Sequence, residues 1–189
     1  MHPIQSYGLA LLFCSIFATN NFVSAANIDA GKSKAVFCLG CHGSNGNSKS
    51  PQYPTLAGQR AHYLEAQLKA FKSGQRTSSV MQGMAANLTV QDIQNVSAYF
   101  SSLSTESAGG DPALAKKGES KTAMCKGCHG TSVEGRGSFP KLAGQQPKYI
   151  EKQLLNFKNR SRKGGPMNAV ASSLSEQDIK EIAAYLGSL

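Results

Sequence analysis

The chain of 189 residues has no tryptophan, few acidic residues and one long apolar run, which lies at its N-terminus. Because no second run is long enough to cross a bilayer, a multi-span membrane protein is excluded. Five cysteines are too few for a disulfide-dense scaffold, and no low-complexity tract or block of like charges indicates disorder. With 40% apolar and 16% charged residues, the sequence is typical of a folded globular protein of one or two domains.

The N-terminal 26 residues contain no Asp, Glu, Lys or Arg and include an apolar stretch over residues 9–18. Small residues follow it, among them Ala25 and Ala26. This pattern predicts a secretory signal peptide over residues 1–26, cleaved after one of these two alanines. A retained membrane anchor is the alternative, although the stretch is short for a membrane span. We therefore expect an exported protein.

Once the signal peptide is removed, four cysteines remain, and all four belong to two copies of a C-x-x-C-H pattern, at residues 38–42 and 125–129. On a helix, residues i, i+3 and i+4 project from one face. Two thiols and an imidazole in that arrangement are typical of the covalent attachment of haem c. The pattern predicts two covalently bound haems per chain, with thioether bonds from Cys38, Cys41, Cys125 and Cys128 and iron ligation by His42 and His129.

Zinc binding and redox-active dithiols are the two alternatives for these cysteines. Zinc is disfavoured because the two pairs lie far apart in the sequence and each has its own adjacent histidine. A redox-active C-x-x-C is disfavoured because no βαβ pattern surrounds either pair.

The sequence repeats itself on a larger scale than these motifs. Residues 54–59 (PTLAGQ) recur as residues 140–145 (PKLAGQ), and the two copies then align without a gap to residues 103 and 189. Residues 104–111 are small and polar and predict a linker. We therefore expect two domains, at residues 27–103 and 112–189, each small enough to need a metal, a disulfide or a large apolar cofactor to complete its core.

Both copies show helical periodicity and no alternating apolar pattern, so each domain is predicted to be all-α. Leu64, Leu68 and Phe71 recur at helical spacing, and their equivalents do the same in the second copy. Thr89 and Ser175 predict the N-caps of a last helix. A first helix is expected from about residue 29 to 38, and from 112 to 125.

The repeat also selects candidates for the remaining iron ligand. Met81 and Met167 lie at equivalent positions, which favours them as axial ligands of the two irons. Met84 and Met124 have no methionine at the equivalent position and are predicted to lie in the core.

Two prolines are candidates for contacts behind the histidines. A ligating imidazole normally donates its other N–H to an acceptor. Pro54 and Pro140 follow the histidines in the returning loop, and each either offers this backbone carbonyl or serves only as a turn residue.

With these residues considered together, the chain resembles the dihaem cytochrome c4 family, in which two class I cytochrome c domains stand in tandem. The resemblance covers the whole mature chain. It rests on the two C-x-x-C-H motifs, the paired Leu-Ala-Gly-Gln segments, the two methionines and the terminal helices with Ala98-Tyr99 and Ala184-Tyr185. It implies that the carbonyls of Pro54 and Pro140 accept hydrogen bonds from the histidines.

The resemblance further implies a periplasmic protein, free or associated with the membrane surface, that carries electrons from a quinol-oxidising complex to a terminal oxidase. Histidine and methionine ligation would leave no open coordination position, so we expect an electron carrier and not an enzyme. The alternative is an electron-transfer subunit of a flavocytochrome-type dehydrogenase.

Two haems would add about four propionate charges, which offset part of the net charge of +9, and the second half of the chain is the more basic. We expect no nucleic-acid partner. Four cations precede Met167 and are candidates for docking an acidic patch, a solvated loop being the alternative: Lys158, Arg160, Arg162 and Lys163.

Overall fold

The computed structural model describes residues 25–189, so residues 1–24 of the predicted signal peptide lie outside the described part. The described residues form ten α-helices and no β-strand. In the first half these are α1 (Ile28–Lys34), α2 (Val36–His42), α3 (Ala61–Lys72), α4 (Ser79–Ala86) and α5 (Val90–Ser102). In the second half they are α6 (Pro112–Lys121), α7 (Ala123–His129), α8 (Pro147–Lys158), α9 (Pro166–Ser172) and α10 (Glu176–Ser188). None of these helices is long and apolar enough to cross a membrane.

The first and last helices of each half pack against each other through a glycine. A Cβ atom on Gly31 of α1 would lie 2.0 Å from the backbone oxygen of Asn95 on α5. In the second half, a Cβ atom on Gly118 of α6 would lie 2.0 Å from the backbone oxygen of Glu181 on α10. Only glycine permits two helix backbones to approach this closely.

Each half has its own apolar core. The first core is formed by buried residues of α3 and α5, with Ala35 between α1 and α2: Leu64, Val96, Tyr99 and Phe100. The second is formed by α8, α10 and the loops before them: Val133, Ile150, Leu174, Ile179, Ile182, Ala183 and Leu186. The predicted all-α fold is therefore confirmed.

The predicted first helix of each half is wrong in one respect, because the structure divides it into two short helices. The break lies at Ala35 in the first half and at Thr122 in the second, and both residues are completely buried. The Thr122 hydroxyl donates to the carbonyl of Gly118, 2.9 Å away, and such back-bonding bends helices. The C-x-x-C-H motifs therefore lie on separate helices, α2 and α7, which extend through their histidines.

The two halves contact each other through a pair of related arginines. Arg76 donates to Tyr149 and Gln153 of the other half, both at 2.9 Å, and its guanidinium stacks on Phe71. Arg162 repeats the arrangement, donating to Tyr63 at 3.0 Å and Gln67 at 2.9 Å and stacking on Phe157. The interface thus has approximate two-fold symmetry, with equivalent residues of the repeat making reciprocal contacts.

Residues 104–111 contain no helix and contact both halves. The Thr105 hydroxyl donates to the carbonyl of Ala57 at 2.6 Å, and the Ser107 hydroxyl donates to that of Gly187 at 2.9 Å. Residues 104–111 are therefore hydrogen-bonded to both halves.

Candidate haem sites

The cysteines of the first half lie one turn apart on α2. Cys38 is half-buried and Cys41 is exposed, and neither forms a disulfide. Burial, with a smaller contribution from Cys41, raises the pKa of the Cys38 thiol above its ordinary value. A reactive dithiol needs a lowered thiol pKa, so the raised value disfavours the redox-active alternative.

The second half has the same arrangement on α7. Cys125 is half-buried, Cys128 is exposed, and burial raises the pKa of the Cys125 thiol. Nowhere in residues 25–189 do three or more His, Cys, Asp or Glu side chains form a cluster that could hold a metal ion. This disfavours a zinc site built from side chains of the described residues.

The two histidines are buried and each is held by a proline carbonyl. The distance from His42 Nδ1 to Pro54 O is 2.8 Å, and that from His129 Nδ1 to Pro140 O is also 2.8 Å. Because a carbonyl can only accept, Nδ1 must carry the proton, and Nε2 of the neutral ring keeps its lone pair. Burial lowers the pKa of both imidazoles, although the proline carbonyls oppose this effect. Each neutral ring therefore offers Nε2 as a ligand atom.

Glycines end α2 and α7 immediately after the histidines. Gly43 and Gly130 have φ values of +89° and +92°, a region that other residues rarely adopt. Their backbone N–H groups donate to carbonyls of the preceding turn, which caps each helix. The chain therefore turns sharply after each histidine, and the loop that follows brings Pro54 or Pro140 back to that histidine.

An aromatic ring that the sequence interpretation did not identify packs against each histidine. Tyr53 meets the His42 ring edge-on, with 6.2 Å between ring centroids, and Phe139 meets His129 in the same way at 6.0 Å. Each of these residues immediately precedes the proline whose carbonyl holds the histidine. Their aligned positions in the repeat mark them as equivalent residues but do not indicate a contact with the histidine.

Met81 and Met167 are half-buried near the beginnings of two short helices, α4 and α9. The Ser78 hydroxyl caps α4 and lies 3.4 Å from the backbone nitrogen of Met81. The prediction that Met84 and Met124 lie in the core is wrong, because Met84 is 41% exposed and Met124 is 55% exposed. Alignment of the two repeats distinguishes Met81 and Met167 from Met84 and Met124, but it does not predict whether Met84 and Met124 are buried.

The chemistry of the residues fits haem c in both halves. Each half combines two free thiols one turn apart, an imidazole with an available Nε2 atom and a half-buried thioether sulfur on another helix. Apolar side chains beside the cores are only partly covered, as a large apolar cofactor would require: Leu39, Leu56 and Leu68 in the first half, and Leu142 and Leu154 in the second.

Two of the four cations predicted to dock a partner have structural roles instead. Arg162 belongs to the interface between the halves, and Lys158 donates to the carbonyl of Leu174. Arg160 and Lys163 are exposed and line an open surface cavity beside α9.

Comparison with known proteins agrees with this description. The family model for cytochrome c matches residues 28–104 and 115–189. Cytochrome c4 of Pseudomonas aeruginosa is 36% identical over 96% of this chain and 98% of its own length. A thiosulfate dehydrogenase electron acceptor of Thiomonas intermedia is 32% identical over 87% of this chain and 84% of its own length.

A solved structure supports the same relationship. The crystal structure of reduced recombinant cytochrome c4 from Pseudomonas stutzeri matches with a TM-score of 0.81 and 37% identity. The match covers 87% of this chain and 100% of that one. The chain therefore belongs to the cytochrome c family and, within it, to the cytochrome c4 proteins, electron carriers with two tandem domains and two covalently bound haem c groups.

Proposed function

We propose that this protein carries single electrons in the periplasm, from a quinol-oxidising complex to a terminal oxidase. The observation that supports the proposal most strongly is that each half holds its motif histidine by a proline carbonyl and leaves Nε2 available. One such site would be enough for a carrier with a single haem. The same site built twice, with a methionine at the same register, favours a carrier with two redox centres.

The proposed ligands follow the repeat. Cys38 and Cys41 would hold the first haem covalently, and His42 and Met81 would ligate its iron. In the second half the same roles fall to Cys125, Cys128, His129 and Met167. Pro54 and Pro140 orient the histidines through their carbonyls. The haem c groups supply one-electron cycling between ferrous and ferric iron.

The protein itself contributes orientation and the exclusion of water. His42 is 6% exposed and His129 is 5% exposed, and each ring is fixed by its carbonyl and its aromatic neighbour. With a histidine and a methionine both bound to it, the iron would keep no position for a substrate. Electron transfer then needs no bond to a substrate, which distinguishes the carrier from a peroxidase.

The proposed donor and acceptor can be tested with the mature dihaem protein. We expect membranes that contain the quinol-oxidising complex to reduce it, and membranes that contain the terminal oxidase to reoxidise it, with rates that fall as salt increases. Reduction without any oxidase-dependent reoxidation would contradict the proposed acceptor.

A second candidate is a role as the electron acceptor of a dehydrogenase, including the flavocytochrome type. The similarity to a thiosulfate dehydrogenase electron acceptor favours it. Thiosulfate added with a thiosulfate dehydrogenase would then reduce this protein faster than quinol-oxidising membranes do. The opposite order of rates would favour the respiratory role.

The proposed location can be tested separately. We propose that residues 1–26 are removed on export and that residues 27–103 and 112–189 are the two domains joined by residues 104–111. The mass of the protein recovered from a periplasmic fraction should correspond to a chain that begins at residue 26 or 27 with two haems attached. Recovery of the uncleaved chain in membranes would indicate a retained anchor.

A further inference from the structure

A glutamine of the second half contacts the backbone behind the first histidine. Gln145 Oε1 accepts a hydrogen bond from the backbone N–H of Thr55 at 2.8 Å, and its Nε2 donates to the carbonyl of Thr55 at 2.9 Å. The side chain is buried, with 7% of its surface exposed. This two-point contact crosses the interface between the halves.

The first half returns the same contact. Gln59 Oε1 accepts from the backbone N–H of Lys141 at 2.7 Å, and Gln59 Nε2 donates to the carbonyl of Lys141 at 2.9 Å. Gln59 is also buried, with 5% exposure. These two glutamines are the last residues of the paired Leu-Ala-Gly-Gln segments, so the contact gives that repeated motif a structural role.

One peptide unit links each glutamine to the histidine of the opposite half. The N–H of Thr55 and the C=O of Pro54 belong to one peptide unit, and this C=O accepts from His42 Nδ1. The N–H of Lys141 and the C=O of Pro140 likewise share a peptide unit, and this C=O accepts from His129. Each peptide therefore receives a hydrogen bond from a histidine on one side and gives one to a glutamine of the other half on its opposite side.

Hydrogen bonds in such a chain strengthen each other. Donation from the peptide N–H to a glutamine oxygen places more negative charge on the proline carbonyl. The carbonyl then accepts more strongly from Nδ1–H, which makes the imidazole more basic and favours the ferric state of the iron that it ligates. The glutamine would thus lower the reduction potential of the haem in the opposite half.

The glutamine oxygens are held in position for this role. Gln145 Oε1 also accepts from the backbone N–H of Gln146 at 2.9 Å, and Gln59 Oε1 accepts from that of Arg60 at 3.0 Å. Two donors on one oxygen fix the orientation of the amide, because its NH₂ group could not accept from either.

We infer that Gln145 tunes the reduction potential of the haem in the first half and that Gln59 tunes that of the haem in the second. Both are positioning residues, which act through a peptide unit and a histidine. The inference rests on the proposed ligation by His42 and His129. It means that the two haem potentials are set across the interface and not within each half alone.

The test uses the mature dihaem protein and two variants, Gln145→Leu and Gln59→Leu. Each potential is measured by spectroelectrochemical titration, and the two waves are assigned in a Met167→His background, which lowers the second potential selectively. We expect Gln145→Leu to raise the first potential and leave the second nearly unchanged, and Gln59→Leu to do the reverse. The NMR signal of the affected histidine Nδ1–H should move upfield as its hydrogen bond weakens.

Gln146→Leu is the matched control. Gln146 is also buried at the interface, and its side chain donates across it to the carbonyl of Ser48 at 2.6 Å and not to a proline peptide. Both potentials should stay at their wild-type values in this variant. If Gln145→Leu lowers the yield of folded protein, Gln145→Met keeps the length of the side chain and carries the same expectation.

Equal shifts of both haems, or a shift in the half that carries the substitution, would overturn the inference. A shift of equal size in Gln146→Leu would do the same, because it would show a general loosening of the interface. Failure of the underlying ligand assignment would be visible in the unsubstituted protein, as a missing haem or an absent methionine signal, before any glutamine is changed.

Discussion

At the scale of single residues, each candidate ligand can be identified from its side-chain type and its position in the sequence. The C-x-x-C-H spacing indicates the thiols and the histidine, and the repeat selects one methionine from each half. The structure adds the proton position, since a proline carbonyl behind Nδ1 leaves only Nε2 free to ligate. From the sequence alone, these prolines either offer a carbonyl to the histidine or serve only as turn residues.

The methionine assignment makes a prediction for each half. Ferric haem bound by methionine has a weak absorption band in the red, which depends on the iron–sulfur bond. Met81→Ala and Met167→Ala should each remove about half of this band, because each half contributes one of the two bonds. The measurement is the absorption spectrum of the oxidised protein at matched haem concentration.

Met84→Ala is the control for the first half, since Met84 lies on the same helix and is 41% exposed. Its spectrum should match that of the unsubstituted protein. A full band in both the Met81 and Met167 variants would contradict the assignment.

Several contacts at this scale are beyond sequence interpretation. Tyr53 and Phe139 differ in identity, so their common position before the proline does not by itself indicate a contact with the histidine. Gln59 and Gln145 are visible as part of a repeated motif, but a partner in the opposite half depends on how the halves dock. No local pattern encodes that docking.

At the scale of helices, the close crossing of the first and last helix of each half depends on glycine. Gly118→Ala should lower the free energy of unfolding by about 1–3 kcal/mol, because the added methyl group would press on the backbone of α10. The measurement is denaturant unfolding of the holoprotein. Lys116→Ala, exposed on the same helix, should change it by less than about 0.5 kcal/mol. Equal effects of the two substitutions would contradict the packing described for this crossing.

The first turn of α10 contains an acidic residue, Asp178, whose carboxylate is held by its neighbours. Lys121 and Ser175 donate to the carboxylate of Asp178 and hold its pKa well below the ordinary value of 3.8. A lowered pKa in the folded state stabilises the protein at neutral pH, and this contribution is lost as the pH falls below about 4. Asp178→Asn should therefore lower the stability at neutral pH and weaken its decrease between neutral and acidic pH.

The measurement is chemical unfolding at a series of pH values from neutral to acidic. Asp29→Asn, on the exposed part of α1, serves as the control and should keep most of the wild-type pH dependence. An unchanged pH profile in the Asp178 variant would show that the ion pair with Lys121 contributes nothing to stability.

The sequence predicts some helices better than others. The long amphipathic helices α3, α5, α8 and α10 carry regular apolar stripes, which indicate them directly. The methionine helices α4 and α9 are only eight and seven residues long, which is too short for a clear stripe. The breaks lie at the buried residues Ala35 and Thr122, and helical periodicity does not reveal them.

At the scale of the whole molecule, Arg76 and Arg162 bind the two halves together. The double variant Arg76→Leu/Arg162→Leu would leave four polar side chains at the interface without these donors: Tyr63, Gln67, Tyr149 and Gln153. Because these four side chains are only half-buried and water can replace part of the lost hydrogen bonding, we expect a total loss of about 1–3 kcal/mol, with the two halves then unfolding in separate transitions. Differential scanning calorimetry of the holoprotein measures both effects.

Arg160→Leu is the matched control, since Arg160 is an exposed arginine of the same loop as Arg162. One transition at the wild-type temperature is expected for this variant. A single cooperative transition in the double variant as well would show that other contacts, such as those of Gln59 and Gln145, suffice to couple the halves.

One polypeptide of two similar halves is expected to store and deliver two electrons through two haems. Coulometric titration of the mature protein tests it most directly, because it counts electrons per chain without reference to any partner. We expect each chain to take up and return two electrons. Uptake of only one, with both haems chemically present, would contradict it.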